Sequence, residues 1–242
     1  MSAEEGAGGG LMNAQQIQTK LRSLADPAVA ASSLRFFKKE HAENDIFLGL
    51  RAATLRQLAK EYRDLPLNEV ETLLHSEIHE ERMLALLILV LAVRKATEST
   101  RQQIHDFYLA NTRFVNNWDL VDASAPSLVG AYLMDKSRKP LYRLAKSTSV
   151  WERRIAIVAT QHFIRNDDFD FTLKIAKLLL EDQEDLIHKA TGWMLREVGD
   201  RNRGLLIDFL KPIYRKMPRT MLRYAIEKFG KVQRDAYLKG RA

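Results

Sequence analysis

Trp151-Glu152-Arg153-Arg154-Ile155-Ala156-Ile157 sets a register that returns along the chain. Thirty-five residues after Arg154 stands Lys189, in His188-Lys189-Ala190-Thr191-Gly192-Trp193, and 34 further on stands Arg223, in Leu222-Arg223-Tyr224-Ala225-Ile226. Counting back 36 from Arg154 gives Trp118, in Asn117-Trp118-Asp119-Leu120-Val121-Asp122, and another 35 gives Met83, in Glu81-Arg82-Met83-Leu84-Ala85-Leu86. A helical repeat of this period stacks like helices side by side, so equivalent positions line one surface. With Trp193 and Asp122 four residues past Lys189 and Trp118, that surface would carry two tryptophans, three cations and a carboxylate. The set suits binding and chemistry on a nucleic acid backbone.

Working outward, nearly every segment reads as helix. Ile17, Leu21 and Leu24 recur at helical spacing after Asn13, a good N-cap. Pro27 opens a second helix running to about Lys39, Thr54 caps a third, and Pro66 punctuates the chain before Val70, Leu73 and Leu74. Further segments are expected near 79–96, 99–110, 117–135, 140–147, 150–165, 169–182, 184–198, 203–216, 218–229 and 231–238. No stretch alternates apolar and polar residues as a hairpin strand does. The predicted fold is all-α, an α-solenoid of HEAT-like antiparallel helix pairs whose inner helices line a curved, concave groove.

Composition narrows the function. The chain has 242 residues and is 46% hydrophobic, enough for a real core. Residues 1–11 have almost nothing to bury and read as a disordered tail; residues 12–242, free of long Gly/Ser linkers, read as one HEAT-like-repeat domain. The chain has no cysteine, which excludes thiolate metal sites, a disulfide framework and a cysteine nucleophile. No signal peptide is read, and the longest apolar run, Met83 to Val93, is too short for a membrane span and suits a buried helix. A cytoplasmic protein is expected, nucleoid-associated if prokaryotic. Net charge is +7, yet from Arg201 onward twelve Lys/Arg face only Asp208, Glu227 and Asp235, a local +9. This fits either a polyanion partner or a solvated basic surface.

Several groups could carry chemistry. Trp118 and Asp122 share a helix face. Asp119 points elsewhere and suits a helix-terminal role, accepting orphan amide hydrogens. Asp122 lies deeper, among Val121, Ala123 and Ala125, where a carboxylate needs either a salt-bridge partner on a neighbouring helix or a catalytic purpose. Arg153 and Arg154 diverge by about 100° on a helix, and the register selects Arg154 for the groove. Arg153 is expected to be solvated or paired with neighbours of Glu152, and Trp151 to lie in the core. Gly192 costs helix stability unless a ligand or another backbone comes close. His75 and His79 are four apart but lack the HExxH order, and no metal or cofactor is expected.

At these residues the chain resembles the AlkD-type DNA alkylation repair proteins, a family of HEAT-like-repeat DNA glycosylases. The matching stretches are Phe47-Leu48-Gly49-Leu50-Arg51, Ile78-His79-Glu80-Glu81-Arg82, Asn116 to Asp122, Leu141-Tyr142-Arg143-Leu144-Ala145, Trp151 to Ala156, His188 to Glu197, and Met217 to Glu227. The resemblance implies hydrolysis of the N-glycosidic bond of cationic alkylated purines, typically 3-methyladenine and 7-methylguanine, in duplex DNA. It implies that Asp122 is the catalytic carboxylate, Arg154 the groove arginine, and Trp118 and Trp193 the groove tryptophans. Lys189, Arg223, Arg51 and Phe36 are expected to contact DNA. In one departure, only Lys38 to Asp45 stands between Phe36-Phe37 and Phe47, where similar proteins often carry a longer glycine-rich loop.

The expected partner is double-stranded DNA containing alkylated bases, bound by a monomer. The contrasting possibility is a helical-repeat module that binds DNA or protein without catalysis, since such folds host many functions.

Overall fold

A computed structural model describes residues 13–37 and 45–242. The expected tail, the far end of the Pro27 helix and most of the Lys38–Asp45 loop lie outside these residues. The described chain is all-α, with no β-strand; one isolated parallel bridge joins Ile46 to Ile78. Its contacts group it into two compact units, one up to Arg94 and one from Lys95.

The first unit holds α1 (Ala14–Ser23), α2 (Pro27–Phe37), α3 (Ala52–Glu61), α4 (Leu67–Leu74) and α5 (His79–Ala92). Asn13 caps α1 through a reciprocal bond pair with Gln16, each at 3.0 Å. Thr54 is not a cap: α3 starts earlier, at Ala52, with Arg51 at the N-cap position and no side-chain bond there. The apolar run in α5 is a buried helix, with Leu84, Ala85, Leu86, Ile88 and Leu89 packed on α3 and α4.

The start of α5 explains the Ile78–Arg82 motif. Glu80 accepts the amides of Leu48, Gly49 and Leu50 at 3.0, 2.7 and 3.2 Å. Gly49 has φ +85°, and a Cβ there would lie 2.1 Å from the Asp26 carbonyl oxygen, so no other residue fits. Arg82 and His79 both bind Asp45, at 2.5 and 3.2 Å. Glu81, fully buried, faces Gln18 and Arg22.

The second unit runs through α6 (Glu98–Ala110), α7 (Trp118–Ala125), α8 (Lys139–Ala145), α9 (Val150–Val158), α10 (Gln161–Arg165) and α11 (Asp170–Leu178) to α12 (Asp185–Arg201), α13 (Arg203–Leu210), α14 (Arg219–Ala225) and α15 (Lys231–Leu238). Two segments expected to be continuous helices are interrupted. The 117–135 segment leaves α-geometry at Pro126, which cannot donate a backbone bond, and a π-helical stretch follows in which the Ala131 amide donates to the Pro126 carbonyl at 2.9 Å. The 150–165 segment breaks after Val158, where the Thr160 hydroxyl donates to the Ile157 carbonyl at 2.6 Å.

In this unit α7 packs on α9, α9 on α12, and α12 on α14. Four of the five register positions fall on this row, Trp118 on α7, Arg154 on α9, Lys189 on α12 and Arg223 on α14, while Met83 lies on α5 in the first unit. Residues Ile155 to Ala159 are fully buried, so α9 is the unit's central helix. At Gly192 a Cβ would meet the Met221 carbonyl oxygen and the Tyr224 Cβ, both at 2.5 Å. The close neighbour of Gly192 is therefore the backbone of α14.

Candidate active site

Helix α7 begins where Asn117, fully buried, accepts the Trp118 amide at 2.8 Å. Asp119 takes the helix-terminal role expected of it, accepting the Leu120 amide at 2.8 Å. One turn on, Asp122 meets α9. Arg154 Nε donates to Asp122 Oδ1 at 2.9 Å and Nη2 donates to Oδ2 at 2.8 Å. Arg154 Nη1 donates to the Leu186 carbonyl on α12 at 2.8 Å. One side chain thus ties three helices together.

The pair is buried unequally. The Arg154 side chain is 6% exposed and Asp122 is 19% exposed, so the Asp122 side chain keeps the greater access to solvent. Burial pushes the Asp122 carboxyl above its ordinary value, and Arg154 beside it opposes that rise. Below it, Tyr108 and Ser124 share a buried hydroxyl contact of 3.1 Å, and Ser124 also donates to the Leu120 carbonyl at 2.6 Å. Burial raises the Tyr108 pKa, and the Asp122 charge raises it further.

A guanidinium has five N–H donors, of which three are engaged. Arg154 can offer at most two to a further oxygen ligand. Arg153 diverges as expected, but its partner is Asp182, at 2.6 Å, with the Ser147 and Thr148 carbonyls, while Glu152 instead accepts from Thr112. Trp151 is half-buried at the start of α9 rather than in the core.

Helix α12 carries Trp193, half-buried, whose indole N–H donates to Glu197 Oε1 at 2.9 Å. Lys189, a turn before it, pairs with Asp185 at 3.2 Å. Arg223 on α14 is exposed. Asp122 and Arg154 are in direct contact, and the helices bearing Trp118 and Trp193 both pack on α9. Arg51 and Phe36 belong to the first unit, where both are exposed, Phe36 by 63%. Among the described residues no three His, Asp or Glu side chains gather as a metal site, and no helix is long and apolar enough to cross a membrane.

Residues 17–229 match the family described as DNA alkylation repair enzyme. The chain belongs to this family. A solved structure described as a predicted DNA alkylation repair enzyme from Enterococcus faecalis shares the fold, with a TM-score of 0.67 at 20% identity over 86% of this chain and 97% of that one. No curated protein matches the sequence. In this DNA alkylation repair family member, several partners escaped sequence reasoning, Asp185 of Lys189 among them. The Leu186 carbonyl had no sequence signal, being backbone. Glu197 did: it stands four residues past Trp193, on the same helix face.

Proposed function

We propose that the chain is a DNA glycosylase that hydrolyses the N-glycosidic bond of cationic alkylated purines, 3-methyladenine and 7-methylguanine, in duplex DNA. The observation that carries the reading is the Asp122 carboxylate, oriented through both oxygens by Arg154 on a side chain that is still partly exposed, with Trp118 one turn away. The 34–36 residue register and the α7–α9–α12–α14 row support a HEAT-like stack for the unit that holds this pair.

A cationic alkylated base leaves as a neutral molecule, carrying the bonding electrons with it. No proton is needed on the base. The sugar is left with oxocarbenium character, and a carboxylate fixed in advance stabilises that charge. Asp122 takes this part. It also orients water toward the anomeric carbon and accepts the proton that the water loses. Trp118 and Trp193 offer apolar, electron-rich faces to the sugar and its charge. The two remaining donors of Arg154 hold the adjacent phosphate. Lys189, Arg223, Arg51 and Phe36 extend contact with the duplex.

The bidentate geometry also favours a second reading, in which Asp122–Arg154 is only an interhelical salt bridge in a DNA-binding protein without catalysis. Release of 7-methylguanine from methylated duplex DNA, wild type against Asp122→Asn, separates the two. The glycosylase reading expects release by wild type and a loss of two or more orders of magnitude, roughly the size typical of a key electrostatic group, in a variant that still binds duplex. Duplex binding without release by wild type leaves the second reading.

A further inference from the structure

Asp185, Lys189, Trp193 and Glu197 stand four residues apart and form one stripe along α12. The first two pair with each other at 3.2 Å, and the last two are joined by the indole N–H at 2.9 Å. Glu197 is a third exposed, and Arg196 approaches it only to 4.0 Å. A carboxylate on a stripe that faces DNA repels phosphates. A bystander there would weaken binding and gain nothing but one surface hydrogen bond.

Trp has a single N–H donor, so the bond to Glu197 fixes how the ring is presented. The acceptor's charge matters as well. A hydrogen bond to a carboxylate is charge-assisted, and a negative group at the indole N–H edge polarises the ring toward its face. A more negative face attracts a cation more strongly.

We infer that Glu197 is a positioning residue that orients Trp193 and enriches its face for the positive charge developing on the deoxyribose. The inference rests on the glycosylase reading above. It assigns Glu197 no contact with substrate and no proton transfer; it acts through Trp193.

The test uses the full chain and two duplexes, one holding a cationic pyrrolidine in place of the damaged nucleotide and one holding a neutral tetrahydrofuran. The ratio of the two affinities isolates recognition of charge. Wild type should prefer the pyrrolidine. In Glu197→Gln, which keeps the size and an acceptor oxygen, the preference should fall about three- to tenfold, the scale of a weakened cation–π contact. Affinity for the tetrahydrofuran duplex should stay level or rise as a repulsive charge is removed. In a Trp193→Phe background, where the ring has no N–H to bond, Glu197→Gln should change the ratio no further. An unchanged ratio in Glu197→Gln, or losses that add in the double variant, overturns the inference while leaving the glycosylase reading standing. Absence of any pyrrolidine preference in wild type fails the glycosylase reading first, and the inference with it.

Discussion

Arg154 grips both oxygens of Asp122 across the α7–α9 packing and holds the Leu186 carbonyl of α12 with its remaining terminal nitrogen. The pair joins three helices, and in the proposed mechanism it also carries the chemistry. Its two partners should respond differently to removal.

Arg154→Met leaves a mostly buried carboxylate with no counter-charge. The variant should lose about 2–4 kcal/mol of stability, read from the urea midpoint at constant slope. Adding Asp122→Asn should restore part of that loss, because the stranded charge goes with it. A single variant as stable as wild type would mean that the pair carries no structural weight.

Activity should depend on the ionised form of Asp122. Its carboxyl is raised above the ordinary carboxylate value by burial, against the opposing pull of Arg154. The base-release rate should therefore be present above that raised value and fall tenfold per unit as pH drops through it. The acid limb should sit at a higher pH than for an exposed aspartate. A single-turnover pH profile that stays flat down to the ordinary carboxylate range contradicts the assignment.

Gly192 should tolerate no side chain. A Cβ would lie 2.5 Å from the Met221 carbonyl oxygen, and α12 and α14 would have to separate. Gly192→Ala should cost about 1–3 kcal/mol despite its better helix propensity. Thermal unfolding beside Gly204→Ala, where the nearest neighbour to a Cβ is a side-chain oxygen at 3.7 Å, makes the comparison. Equal midpoints would show that the crossing relaxes freely.

Much of the helical fold was legible because the chain's apolar residues repeat at helical spacing and its helix starts are conventional, with Asn13 capping α1 and Pro27 opening α2. Four of the five register positions, Trp118, Arg154, Lys189 and Arg223, read correctly onto successive packed helices of the second unit, whereas Met83 belongs to the first. The breaks at Pro126 and Thr160 were missed. Both lie inside continuous apolar patterns, and each depends on a local bond that periodicity does not register. Arg153's partner Asp182 was missed for another reason: 29 residues separate the two, and only packing brings them to 2.6 Å. Thr54 misled because threonine is a good cap, while the helix in fact starts at Ala52 without one.

The Glu80 clamp has a consequence for how this chain can vary. Phe37 and Phe47 stack with centroids 5.2 Å apart, and the next three amides are held by a carboxylate on α5. The stretch numbered 38–44 is thus flanked by held residues on both sides, the far side also through Asp45, which binds Arg82 and His79. Lengthening a flexible loop costs about 0.6 kcal/mol of closure entropy per doubling. Insertions there can be accepted or lost without retuning the helices on either side, which makes this the stretch where sequence can drift in length while the rest of the unit keeps its place.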